Sequence, residues 1–176
     1  MTRKLSSLFA LLVAGSLSAA AFGQGSYKQP PKEVLDVLNA PAPPATSIAP
    51  SRDRIALLDV VRYPPVSELA EPMLRLAGLR INPRTNAQHR QNYFSGVSLQ
   101  NIADGSVRRV QLPAGAKIIS PAWSPDGKYI AAGNVTDKGV ELWFIETATG
   151  RATKVPNVQI NTAYGGFSWE GPNSLA

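Results

Sequence analysis

The sequence predicts an all-β chain built from repeated four-stranded units, the opening of a β-propeller that is left incomplete. Three observations carry this. The stretch "PAWSPDGKYIAAG", Pro121 to Gly133, sets a proline-aspartate-glycine turn between two short apolar runs. The same pattern recurs in degenerate form at "SIAPSRDRIALL" and begins again at "FSWEGPNSLA". Trp123 and Trp169, the matching aromatics of two copies, lie 46 residues apart, within the roughly 40 to 50 residues of a propeller blade.

The chain has 176 residues, no cysteine and a formal net charge of +6. Without cysteine there is no disulfide framework, no thiolate metal site and no lipid-modified cysteine terminus. Residues 1–23, "MTRKLSSLFALLVAGSLSAAAFG", place Arg3 and Lys4 before an apolar run that ends in small residues. That is the pattern of a cleaved secretory signal peptide. The run is broken by Ser6, Ser7, Ser16 and Ser18, whereas a membrane span wants about 20 strongly apolar residues. An exported protein, periplasmic or extracellular, with no stable membrane insertion after cleavage, is expected. Its remaining charge of about +4, after loss of Arg3 and Lys4, is scattered among strands. Nucleic-acid binding would need a basic patch or a known motif, and the sequence has neither.

Residues 24–44 are proline-rich, with one short helix expected over Lys32 to Asn39 between Pro31 and Pro41, where Val34, Leu35 and Leu38 have helical spacing. From residue 45 the signals are strands. In "SPDG" Pro125 presets the second position of a type I turn, Asp126 suits the third, and Gly127 takes the positive backbone angle at the exit. After "YIAAGNV" come "TDKG", "VELWFIE", "TATG" and "RATKV"; after "RIALLDVV" come a long insertion, "GVSLQNI", "ADGS" and "VRRVQL". Each unit thus reads as four antiparallel strands, over about 45 to 112 and 117 to 155, with a third beginning near Trp169. Trp123, Tyr129, Ile130, Leu142, Trp143 and Phe144 are expected to fill the space between sheets. A ring needs typically four to eight such units, so residues 45–176 are expected to be the truncated first part of a longer propeller.

The insertion carries the most specific signal. "YPPVSELAEPMLRLAGLRINPRTNAQHRQNYFSGVSL", with Leu76, Ala77, Gly78, Arg80, Ile81, Asn86, Arg90 and Gly96 at their spacings, resembles the exported glutamyl endopeptidase-like branch of the prolyl oligopeptidase family of serine peptidases. The resemblance runs over almost the whole chain after the signal. It implies a propeller that gates a C-terminal α/β-hydrolase domain. There a serine in a Gly-x-Ser-x-Gly elbow, followed by aspartate and histidine, would cleave peptides through an acyl-enzyme. That domain is not in this chain, so no catalytic residue is assigned here and the peptide substrate is met through the missing part. The other reading is a non-catalytic exported propeller that binds or scaffolds.

Remaining candidates are weaker. His89, the single histidine, has no recognisable nucleophile or orienting group beside it and reads as a loop histidine in ordinary polar contacts. Asp53, Asp59, Asp104, Asp126 and Asp137 show no metal-ligand spacing. Neither a metal nor a cofactor is expected. Arg80, Arg84 and Arg90 are the candidate substrate contacts, since arginines on an insertion can grip an acidic side chain bidentately. The plainer reading is that they are solvated or pair with Glu68 and Glu71.

Overall fold

The computed structural model describes residues 28–176; the signal expected over residues 1–23 lies outside them. The chain divides into a unit ending at Ala40 and a unit over Pro41–Ala176. In the first, α1 (Lys32–Leu38) follows Pro31, whose carbonyl receives the amides of Val34 and Leu35, and ends at Asn39 as expected.

The second unit runs β1 (Ala45–Ile48), β2 (Arg54–Val60), α2 (Val66–Leu69), β3 (Leu74–Leu76), β4 (Leu79–Asn82), β5 (Ala87–Gln88), β6 (Phe94–Asn101), β7 (Val107–Arg109), β8 (Ile118–Trp123), β9 (Tyr129–Thr136), β10 (Gly139–Glu146), β11 (Ala152–Ile160), β12 (Trp169–Gly171) and β13 (Ser174–Leu175). Strands β1, β2, β6 and β7 pair in that order as one antiparallel meander, and β8 to β11 form a second. Between β6 and β8 the two meet at Phe94 opposite Ile118, because β7 occupies the edge of β6 from Ser98 to Gln100, and a single bridge joins Gln111, just after β7, to Arg151, just before β11. β12 and β13 form a separate hairpin.

The repeat read from the sequence is repeated bond for bond. In the second meander Ser124 N donates to Tyr129 O at 2.8 Å and Gly127 N to Ser124 O at 2.9 Å. In the first, Ala49 N donates to Arg54 O at 2.9 Å and Arg52 N to Ala49 O at 2.9 Å. Gly127 adopts φ 72° and Arg52 φ 58°, so the degenerate copy keeps the turn although it has no glycine there. The later turns match likewise: Asn101 N bonds Ser106 O with Gly105 at φ 70°, and Glu146 N bonds Arg151 O with Gly150 at φ 71°.

Side chains alternate across each strand, which sorts the apolar residues onto faces. Ala45, Leu58 and Val97 lie in register across the first meander, and Trp123, Ile130, Ile145 and Ala152 across the second. These rows meet in one core, with Ala56, Leu99, Val110, Ala116, Ile118 and Ala132. On the other face of the second meander Ile119 and Val140 pack with Ala87, and the Phe144 ring lies 5.7 Å from that of Trp169. Ile130 and Leu142 are buried as expected. Tyr129 corrects the expectation: it neighbours Ile130 in sequence and so points to the opposite face, where it remains 38 % exposed.

Successive connections of an antiparallel meander fall at alternate ends. The tight turns 49–53, 102–106, 124–128 and 147–151 therefore share one rim. The insertion 61–93, the loop 110–117, the turn 137–138 and the connection 161–168 belong to the other.

Candidate functional site

The insertion, expected only as an insertion, is an ordered element with its own three-stranded sheet, β3-β4-β5. Ala77 and Gly78, at φ 47° and 86°, make the two-residue turn between β3 and β4, the geometry that suits the twist of a hairpin. Asn82 closes the next turn: its carbonyl receives the amides of Thr85 and Asn86, and its Oδ1 receives the Arg84 amide at 3.0 Å.

A polar cluster pins the insertion to the second meander. Glu68 of α2 accepts from Lys117 Nζ at 2.6 Å and from the Tyr93 hydroxyl at 3.1 Å, and Lys117 lies 5.3 Å from the Tyr93 ring centre. Burial, reinforced by the Glu68 carboxylate, pushes the Tyr93 hydroxyl pKa up. For Lys117 burial acts downward, but Glu68 and the other nearby negative groups outweigh it and hold the ammonium above its ordinary value.

Beside this cluster a cleft of about 480 Å³ opens between Glu71, Asn82, Arg84 and Thr85 of the insertion, the loop 113–117, the strand end Asn134–Asp137, and Glu141, Trp143 and Lys154. Its walls are charged and internally paired. Arg84 meets Glu71 at 3.3 Å. Glu141 accepts from Lys154 at 2.6 Å and from the Trp143 indole at 3.0 Å. The Lys154 bond leads in holding the Glu141 carboxyl below its usual range, against a burial effect of opposite sign. Trp143, expected between sheets, instead lines this cleft and is half-buried. Such a site offers an aromatic wall and fixed charges of both signs, which is the chemistry of binding an extended polar ligand. No histidine is among its lining residues.

The candidate arginines do not converge. Arg84 lines the cleft, Arg90 lines two smaller recesses, and Arg80 lines none of these three. Of the pairings weighed for them, Arg84 with Glu71 forms, while Glu68 is taken by Lys117. His89 Nε2 donates to the Glu71 carbonyl at 3.1 Å, and its Nδ1 is buried with no partner, at a recess of about 60 Å³ lined also by Glu68, Tyr93 and Lys117. Asp104 and Asp126 serve their own turns, through Ser106 and through Ser124 and Lys128. Among the described residues no three potential ligands gather for a metal, and no helix is long and apolar enough to cross a membrane. Sequence reading named Glu68 only as a partner for the arginines and missed Tyr93, Lys117, Glu141 and Lys154, which come together only through pairing distant in the chain.

No protein-family model matches the chain. Two curated relatives do, each named probable glutamyl endopeptidase, chloroplastic. The one from Oryza sativa subsp. japonica is 32% identical over 173 residues, covering 90% of this chain and 18% of the relative. The one from Arabidopsis thaliana is 33% identical over 183 residues, covering 92% and 19%. The chain thus spans about a fifth of the length of the curated relatives it matches. Among solved structures, one described as a dipeptidyl aminopeptidase IV from Bacteroides ovatus aligns with 69% of this chain and 18% of its own, at TM-score 0.42 and 15% identity.

Proposed function

From the premise that this chain is a prolyl oligopeptidase-like segment related to the glutamyl endopeptidases, we propose that it is the first part of a β-propeller that gates substrate entry in an exported serine peptidase. The two meanders are the first blades and the β12–β13 hairpin begins a third. The peptide bond would be cut through an acyl-enzyme by serine, aspartate and histidine encoded beyond Ala176. The chain's own role is selection and access.

The observation that carries this reading is the asymmetry of the two rims. One is closed by four tight turns; the other gathers the insertion, two loops and a cleft of about 480 Å³. Loops grouped on one end of a rigid scaffold are where binding residues concentrate. Arg80, Arg84 and Arg90 belong to that rim and are proposed as contacts for acidic side chains. Export rests on the charged, apolar and small-residue order of residues 1–23; the chloroplast is named for the relatives, not for this chain.

The test is the reading frame past Ala176. Four or more further repeats followed by Gly-x-Ser-x-Gly and a distant histidine are expected. A frame that closes after repeats alone would overturn the peptidase reading in favour of a binding propeller.

A further inference from the structure

The small sheet of the insertion has two faces of opposite chemistry. Leu74 stands opposite Ile81 and Leu76 opposite Leu79 on one face; Arg75 stands opposite Arg80 on the other. Like charges directly opposite across an antiparallel pair destabilise it, so this juxtaposition calls for a counter-charge. Yet among the described residues no carboxylate pairs with either arginine, although Arg84, a few residues on, is paired with Glu71. Both guanidinium-bearing residues are exposed.

β3 also has an open edge, since among the described residues β4 lies on one side of it and no strand on the other. The Arg80 carbonyl accepts from His89 N at 2.8 Å, toward β5. Its main-chain groups therefore face away from β3, and by the alternation of an antiparallel ladder those of Arg75 face the open edge. On the apolar face Leu74 and Leu76 are 48% and 49% exposed.

We propose that β3 is a docking edge for an extended acidic segment of a polypeptide. A carboxylate would sit between Arg75 and Arg80, the segment's backbone would bond the N–H and C=O of Arg75, and its alternate apolar side chains would cover Leu74 and Leu76. Main-chain pairing at an edge gives affinity and alternate side chains give selectivity. A second copy of this chain is the wrong occupant, because antiparallel pairing of two β3 strands about Arg75 brings their arginines together. The proposal does not rest on the peptidase reading, as binding needs no catalytic domain.

The test is fluorescence anisotropy of the full chain with a short labelled peptide alternating leucine and glutamate, beside its glutamine counterpart. Saturable binding of the acidic peptide is expected, weakened about tenfold or more, roughly 1.4 kcal/mol, by glutamine in the peptide, by R75Q and by R80Q. R75K and R80K should recover part of it, and R151Q, an equal change of charge on the opposite rim, should leave it intact. Absence of saturable binding, equal affinity for the two peptides, or equal weakening by R151Q would overturn the proposal. So would a dimer of the chain that R75Q strengthens and the acidic peptide does not dissociate.

Discussion

Arg52 occupies a backbone conformation that its counterpart Gly127 adopts freely, φ 58° against 72°. The left-handed region costs a residue with a Cβ about 1–2 kcal/mol, and Arg52 is exposed, so its side chain returns little. Arg52→Gly is expected to stabilise the chain by about 1 kcal/mol, read as a higher urea midpoint at unchanged slope; a lower midpoint would contradict the shared turn geometry. Gly96 presents the reverse case. A Cβ there would fall 1.9 Å from Arg109 Nη2 and 2.7 Å from Asp59 Oδ2, because the guanidinium crosses Gly96 to pair with Asp59. Both atoms end exposed, flexible side chains that can swing aside, so Gly96→Ala should cost no more than the surface ion pair it displaces, about 0–1 kcal/mol, and Arg109→Ala in the same chain should remove that cost. Glu141 adds a pH dependence. Its folded pKa is lowered, chiefly by Lys154, so the unfolded chain binds the proton more readily. The stabilisation is complete above the ordinary glutamate value of about 4.3 and is lost as pH falls through the folded pKa. Glu141→Gln should flatten the acid limb of a thermal-midpoint profile; an unchanged limb would count against the Lys154 bond. The sequence marked Gly96 and the turn residues, but not what Gly96 faces, since Arg109 and Asp59 meet across strands.

Strand pairing places the motif tryptophans in equivalent roles. Trp123 Nε1 donates to Ser47 Oγ at 3.0 Å, and Trp169 Nε1 donates to the Ala122 carbonyl at 3.0 Å. Ser47 and Ala122 hold the same repeat position, three residues before Pro50 and Pro125. Each indole thus fastens the first strand of its unit to the first strand of the unit before. Trp123→Phe and Ser47→Ala should each cost about 1 kcal/mol, and the double variant should cost clearly less than their sum. Additive costs in denaturant unfolding would show that the two do not interact. At this scale the turns and the 46-residue spacing made the long strands legible. The insertion's strands were not, because β3, β4 and β5 have 3, 4 and 2 residues, too short for a period to register. The pairing of Glu141 with Lys154 was hidden too: β11 shifts register between Glu141 and Trp143, so Trp143, not Glu141, stands opposite Lys154.

Across the whole second unit, one meander packs on each side of a shared core while the Trp169 hairpin adds to the far face, so stacking proceeds in one direction along the chain. This order places every long connection on one rim. The sequence made the repeat and the relationship to glutamyl endopeptidases readable, through Trp123, the "SPDG" turn and the insertion. The cleft was not readable, because it needs Glu71, Lys117 and Glu141 from three separate connections and strands. The central claim is that this chain selects substrate for chemistry encoded beyond it. Labelling with a serine-reactive fluorophosphonate tests it most directly, comparing the product of the complete reading frame with residues 24–176 alone. Covalent labelling of the long product and none of the short one is predicted; labelling of the short chain, or of neither, would contradict it.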